Sequence, residues 1–276
     1  MIDAHQHFWQ PARGGYDWFD VEGPSLRRPF LPADLAPHLA ACGITKTVLV
    51  QADGTVAETD YILDLAAQTD FVAGVVGWLD FEDQLQINVL KRFLHAKKFK
   101  GLRPIIQAQP DTDWMLRDDI AWAYRAICDH GLTFDALGHP RHFANFRTLA
   151  ERYPAMPMVL DHCLKPDIAN ETPDRFQNWA NGMARLAEMP HVTCKFSALA
   201  TEANSDWKID TLRPYALHII DVFGADRILW GSNWPVETLR GSYETVFQTA
   251  RDLFSHLPET DQAKIFGLNA ARFYRL

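Results

Sequence analysis

His5 and His7 stand two residues apart in an apolar run over 2–7, and side chains two apart on a strand point to one face. Two imidazoles on one face are what a metal ion or a developing oxyanion requires. A lone His-x-His is weak evidence, so the ends of the other apolar runs matter. Read in phase, they carry Asp80 after the third run, Arg103 on the fourth, Asp135 on the fifth, His162 on the sixth, Lys195 and Ser197 on the seventh, and Asn233 after the eighth. Taken singly, each has an ordinary reading: Asp80 and Asp135 as loop caps or ion-pair partners, Arg103 as the partner of a carboxylate, Lys195 as a barrel-mouth cation. Their delivery to one rim by seven of eight strands is the stronger signal, because parallel barrels place catalytic groups at the C-terminal ends of several strands.

The elements that must position these groups follow from periodicity. Short β-rich runs at 2–7, 46–51, 72–79, 100–105, 132–136, 156–162, 192–197 and 228–232 alternate with amphipathic stretches at 33–41, 57–68, 85–96, 119–129, 143–153, 176–188, 212–223 and 243–254. That alternation predicts a parallel sheet with helical crossovers, and eight such pairs close into a (β/α)8 TIM barrel. Gly43 and Gly131 follow two helices where a left-handed cap is expected, and Thr172-Pro173 reads as the cap and first turn of another. A chain of 276 residues, 47% hydrophobic, suits one domain over 1–276. The long segment 8–32 holds Trp9, Tyr16, Trp18, Phe19 and Phe30, either as an aromatic wall at the mouth or as a seal on the barrel's end.

A net charge of −8 offers no basic face for phosphates, so nucleic acid is excluded as a partner. No stretch approaches the ~20 apolar residues of a membrane span, and no leader pattern follows Met1; the expectation is a soluble, cytoplasmic protein without a membrane partner. Cys42, Cys128, Cys163 and Cys194 are scattered and read as reduced thiols. The sequence leaves a homo-oligomer open.

Longer motifs add to this reading. The segments Ile2-Asp3-Ala4-His5-Gln6-His7-Phe8-Trp9, Leu160-Asp161-His162-Cys163-Leu164-Lys165-Pro166, Cys194-Lys195-Phe196-Ser197-Ala198-Leu199 with Thr201-Glu202-Ala203, and Gly231-Ser232-Asn233-Trp234-Pro235-Val236 resemble the sugar-lactonase branch of the amidohydrolase superfamily, which includes L-fuconolactonases, L-rhamnonolactonases and lactonases of pyrone dicarboxylates. Tyr16-Asp17-Trp18 and the ending Asn269-Ala270-Ala271-Arg272-Phe273-Tyr274 fit as well, so the likeness spans nearly the whole chain. It implies a distorted (β/α)8 barrel that hydrolyses the ring ester of a sugar lactone. His5, His7 and His162 would then face the lactone carbonyl and hold an optional single divalent ion such as zinc, no cofactor being strictly required. Arg103, where binuclear relatives carry a bridging ligand, disfavours a second ion. Arg103, Lys195, Trp18, Trp78 and Asp80 are the expected substrate contacts.

One position departs from the pattern. The family carries an aspartate in Gly-Ser-Asp-Trp-Pro, and this chain has Asn233. An amide oxygen has negligible basicity, so Asn233 can hold water but cannot deprotonate it. The expectation is an impaired form of the enzyme, through a substitution introduced to trap ligand. The other account is a natural asparagine, in a chain that uses another base such as Asp80 or only binds lactones or sugar acids. The enzymatic rival is a metal-dependent decarboxylase of the same superfamily.

Overall fold

A computed structural model describes residues 1–19 and 23–276; residues 20–22 of the aromatic segment 8–32 lie outside the described residues. Eight strands form one parallel sheet in sequence order: β1 (Ile2–Gln6), β2 (Lys46–Val50), β3 (Val72–Gly77), β4 (Phe99–Leu102), β5 (Thr133–Ala136), β6 (Met158–Leu160), β7 (Val192–Phe196) and β8 (Ile228–Trp230). Parallel neighbours need crossovers, and these are supplied by α1 (Pro32–Cys42), α2 (Val56–Ala67), α3 (Ile87–Phe93), α4 (Ala121–Asp129), α5 (Phe143–Arg152), α6 (Pro173–Ala187) and α7 (Ile209–Phe223). The helix α8 (Tyr243–Leu253) follows the last strand. The result is the expected (β/α)8 barrel.

The punctuation acts as its chemistry suggests. Gly43 (φ 65°) and Gly131 (φ 61°) adopt the left-handed conformation after α1 and α4, and the Thr172 side chain accepts the Arg175 N–H at 3.3 Å to cap α6. Several boundaries differ from the periodicity, three of them with consequences for the mouth or its crossovers. The expected helix over 85–96 is a 3-10 turn (Gln84–Gln86) followed by the shorter α3. β6 and β8 stop at Leu160 and Trp230, because the residues that follow leave the sheet to shape the mouth.

Inside the barrel, Ile2, Ala4, Val48, Val50, Val76, Val159 and Leu229 form a layer of small aliphatic side chains. Periodicity gave no warning of what lies beside it. Two short helices, α9 (Glu259–Ala263) and α10 (Asn269–Tyr274), bring Tyr274 into that layer, fully buried. The ring thus plugs the end of the barrel away from the mouth.

The wall is closed by the segment after β8. His7 N–H donates to Trp234 O at 2.7 Å, and Asn233 N–H donates to His5 O at 2.8 Å. Such close approach requires glycine at 231, since a Cβ there would lie 2.6 Å from His5 Cβ and 3.0 Å from its backbone N. Gly231→Ala should therefore destabilise the protein by about 1–3 kcal/mol and displace His5; an unchanged denaturant midpoint would contradict this account of closure.

Candidate active site

Strict alternation along β1 would put His5 outside the barrel, because Ile2 and Ala4 point inward. The pairing of β1 with β2 instead shifts register between Asp3 and Gln6, and that irregularity turns both histidines inward. Asp3 holds the shift from outside the wall. Its Oδ1 accepts N–H groups from His5 (3.1 Å) and Ser232 (2.9 Å), and its Oδ2 accepts the Tyr243 hydroxyl (2.9 Å). The His5 and His7 Nε2 atoms then stand 3.2 Å apart. Val50 O, which can only accept, lies 2.8 Å from His7 Nδ1; His7 therefore carries its proton on Nδ1 and presents a bare lone pair on Nε2.

His162 joins them from the segment after β6, its ring centroid 4.5 Å from that of His5 and its Nδ1 2.8 Å from Ser197 Oγ. The backbone there is unusual: His162, Cys163, Leu164 and Lys165 all have φ between 50° and 56°. Lys165 N–H donates to His162 O at 2.8 Å, making one left-handed turn. L-residues resist this conformation by roughly 1–2 kcal/mol each, and such strain concentrates at functional sites. Cys163 and Cys194 are fully buried against this turn, their sulfurs 3.6 Å apart. Burial pushes the Cys194 thiol well up, so these are packing thiols.

Beneath the histidines lies a layer of buried charge. The Lys195 ammonium, fully buried, pairs with Asp135, lies 2.9 Å from Asp161 Oδ1 and is 3.2 Å from His5 Nδ1. Arg103 sits 3.4 Å from Asp161 Oδ2 and 3.3 Å from His5 Nε2, and donates to Gln51 O. Tyr274 donates its hydroxyl to Asp135 at 2.7 Å. Two cations thus face two carboxylates. Burial alone would raise the Asp161 carboxyl, but Lys195, His5 and Arg103 together hold it well below the carboxylate range. Burial, assisted by Lys195, keeps His5 far below an ordinary imidazole. Burial does the same for His162, and burial with Arg103 lowers His7 to about 3.

The mouth opens as a cavity of ≈ 1370 Å³, a volume that includes space open to solvent, lined by His7, His162, Arg103, Asn233, Gln51 and Trp18 and by Asp17, Asp53, His139, Lys165 and Glu202. Asn233 has a left-handed backbone (φ 55°), and its amide faces both His7 and Glu237. Both aromatic readings hold in part. Trp9, Tyr16, Phe19 and Phe30 are buried and prop Trp18, which faces the cavity and donates to Ala52 O at 2.8 Å.

Three expected substrate contacts are corrected. Lys195 is fully buried beneath His5, because its position inside β7 sets it below the rim. Asp80 caps its own turn by accepting the Glu82 N–H at 2.9 Å, and it does not line the cavity, which also removes it as a substitute base. Trp78 packs behind Gly54 and likewise does not line it. Sequence reasoning assigned no role to Asp161 or Glu237. Asp161 was discoverable, being in phase with the inward Val159; Glu237 lies in a turn, where no pattern reveals it.

The donors fit one divalent ion. His5, Asp161 and His162 offer ligand atoms within 4.8 Å of one another, with Asp161 Oδ1 also 2.9 Å from the Lys195 ammonium. His7 presents its lone pair beside His5, with its other ring nitrogen tied to a carbonyl, as metal-binding histidines usually do. The Arg103 guanidinium beside His5 occupies the space and charge that a second ion would need.

Residues 2–276 match the amidohydrolase family model. The chain belongs to the amidohydrolase family. It is 40% identical over its whole length to an L-fucono-1,5-lactonase of Burkholderia ambifaria, covering 95% of that protein. It is 32% identical, again over its whole length, to an L-fucono-1,5-lactonase of Burkholderia multivorans, covering 96%. A crystal structure of a Burkholderia multivorans amidohydrolase with bound zinc superposes with a TM-score of 0.94 at 31% identity, covering 100% of this chain and 99% of that one. Among the described residues, no helix of this amidohydrolase is long and apolar enough to cross a membrane.

Two predictions follow from the site's charge. The folded protein keeps His5, His7 and His162 neutral, whereas the unfolded chain protonates them below the ordinary imidazole value of 6.5. Their contribution is therefore complete above pH 6.5 and is lost as pH falls toward the depressed folded values. In urea titrations of metal-free protein, these three rings should together remove about 3 kcal/mol of unfolding free energy from pH 6.5 to pH 5.5, read as the difference from a His5→Asn, His7→Asn, His162→Asn variant so that the opposing gain from the raised Glu58 and Glu237 carboxyls cancels; no difference between the two profiles would show that the rings are not held neutral. Titration with zinc should reach one tight equivalent per chain, and two tight equivalents would refute the exclusion by Arg103.

Proposed function

We propose that this amidohydrolase opens the ring ester of a sugar lactone, an aldonolactone of the L-fucono or L-rhamnono type, to give the sugar acid. The observation that carries the reading is the convergence of His7, His162 and Asn233 on one polar cavity walled by Trp18, with the His5 ring packed directly behind both histidines. The two Burkholderia relatives named L-fucono-1,5-lactonase support it.

In this reading the indole face of Trp18 meets the C–H face of the sugar ring, and Asp17, Asp53 and Glu202 at the rim accept hydroxyls. The lactone carbonyl seats over His5, His7 and His162, above the Arg103 guanidinium, whose fixed positive charge favours the developing oxyanion. A divalent ion held by His5, His7 and His162 with Asp161 would polarise that carbonyl. Asn233 receives the attacking water through its amide oxygen, next to His7, and orients it toward the carbonyl. It cannot take the proton, which a carboxylate at 233 would accept from the attacking water and return to the ring oxygen as the C–O bond breaks.

Position 233 is thus the general-base site, and the asparagine leaves the chain impaired. Restoring the carboxylate should return a contribution of ~10²- to 10⁴-fold. We expect Asn233→Asp to raise hydrolysis across a panel of aldonolactones by at least about 10²-fold, measured as acid release. No gain on any lactone would remove this role from position 233, and decarboxylation of aromatic acids by the same variant would favour the decarboxylase reading instead.

A further inference from the structure

Glu237 lies one turn beyond Asn233, in a 3-10 turn over Val236–Leu239, and its backbone N–H donates to Asn233 O at 3.2 Å. Its side chain is only 4% exposed and has no part in the reaction described above. A carboxyl group removed from water ordinarily needs a cation or several donors, and Glu237 makes no ion pair among the described residues. The groups facing it are the Asn233 carboxamide, the Ala200 backbone N–H, the Glu202 carboxylate from the segment after β7, and Arg240 from its own turn. Arg240 is committed to the carbonyls of Ala203 (3.3 Å) and Leu239 (3.2 Å). Glu237 Oε2 is buried without a hydrogen-bond partner.

The Asn233 amide has two ends of opposite character, an N–H2 that donates and an oxygen that accepts. A carboxyl oxygen behind the cavity wall fixes which end faces which way. Resting on the lactone-hydrolysis reading, we infer that Glu237 is a positioning residue for that reaction: it holds the N–H2 end of Asn233 behind the wall, so that the amide oxygen is the atom presented to water at the mouth. Burial, with Glu202 second, raises the Glu237 carboxyl to about 8, so at neutral pH it carries a proton. It would then serve an aspartate at 233 as a hydrogen-bond donor, holding that aspartate in place in its ionised form.

The test combines Glu237→Gln and Glu237→Met with both the chain as it stands and its Asn233→Asp form, recording kcat and KM for lactone hydrolysis from about pH 6 to about pH 9.5. Glutamine keeps an oxygen that can accept the Asn233 N–H; methionine does not. Glu237→Met should lower kcat about 10-fold or more with KM changed less than about 3-fold, and Glu237→Gln should recover kcat to within about 3-fold at neutral pH. In the Asn233→Asp background the facing carboxylate raises Glu237 further, so activity should decline only at alkaline pH, as Glu237 loses the proton it donates and repels the aspartate from its position, and Glu237→Gln should abolish that decline. Should Glu237→Met fail to fold, this alkaline limb decides by itself. Equal kcat and identical pH profiles with and without the Glu237 carboxyl overturn the inference. Absence of lactone turnover from every form, Asn233→Asp included, overturns the lactone reading itself, and the inference with it.

Discussion

A barrel interior is too dry to tolerate unmatched charge, and this one buries two cations and two carboxylates within a few ångströms of each other. Lys195 against Asp135 and Asp161, and Arg103 against Asp161, form a set without net charge. Removing one member would leave another uncompensated in a medium where that costs several kcal/mol. The rest of the site is arranged on this floor. His5 rests on the Lys195 ammonium and the Arg103 guanidinium, at 3.2 and 3.3 Å, and both positive groups oppose its protonation. From the far end, Tyr274 donates to Asp135, which ties the last helix of the chain to the charge beneath the first strand's histidine.

Above the floor, three local irregularities present the side chains that meet the cavity. A register shift in β1 turns His5 and His7 inward, a left-handed turn after β6 brings in His162, and a single left-handed residue sets Asn233. Each is costly on its own. The first and the last are held by contacts that also close the barrel, such as Asp3 to Ser232 and Asn233 N–H to His5 O, and the second by Ser197 from β7's end. The same bonds that join the first strand to the last therefore place the histidines beside position 233, so closure of the wall and assembly of the site are one event.

This explains how much was legible in the sequence. Alternation of β-rich and amphipathic runs carries the barrel, because each strand–helix pair must bury its own apolar face regardless of what its loops do. The grouping of His7, Arg103, His162 and Asn233 at the mouth could be read from strand order and motif, but the inward turn of the β1 histidines rests on a register shift that alternation does not show. Depth could not be read either. Lys195 shares the phase of rim residues but sits inside β7, and phase tells which face a side chain takes, not how far below the mouth it lies. Asp80 failed for a different reason: a carboxylate just past a strand caps a turn as readily as it enters a site. Tyr274 and Glu237 come from a short helix and a turn, where no period accumulates enough to register.

The chemistry then follows from geometry and charge. In the proposed reading, neutral imidazoles, a guanidinium below them and an amide that can hold but not deprotonate water would together activate a carbonyl, with the proton acceptor missing at position 233. All of it depends on the buried ionic floor. The most direct test is equilibrium unfolding of Lys195→Met, which preserves volume and removes only the central cation. The account predicts a loss of about 3–5 kcal/mol relative to the unaltered protein. An unchanged unfolding free energy would contradict it, showing that Asp135 and Asp161 do not need that charge and that His5 does not rest on it.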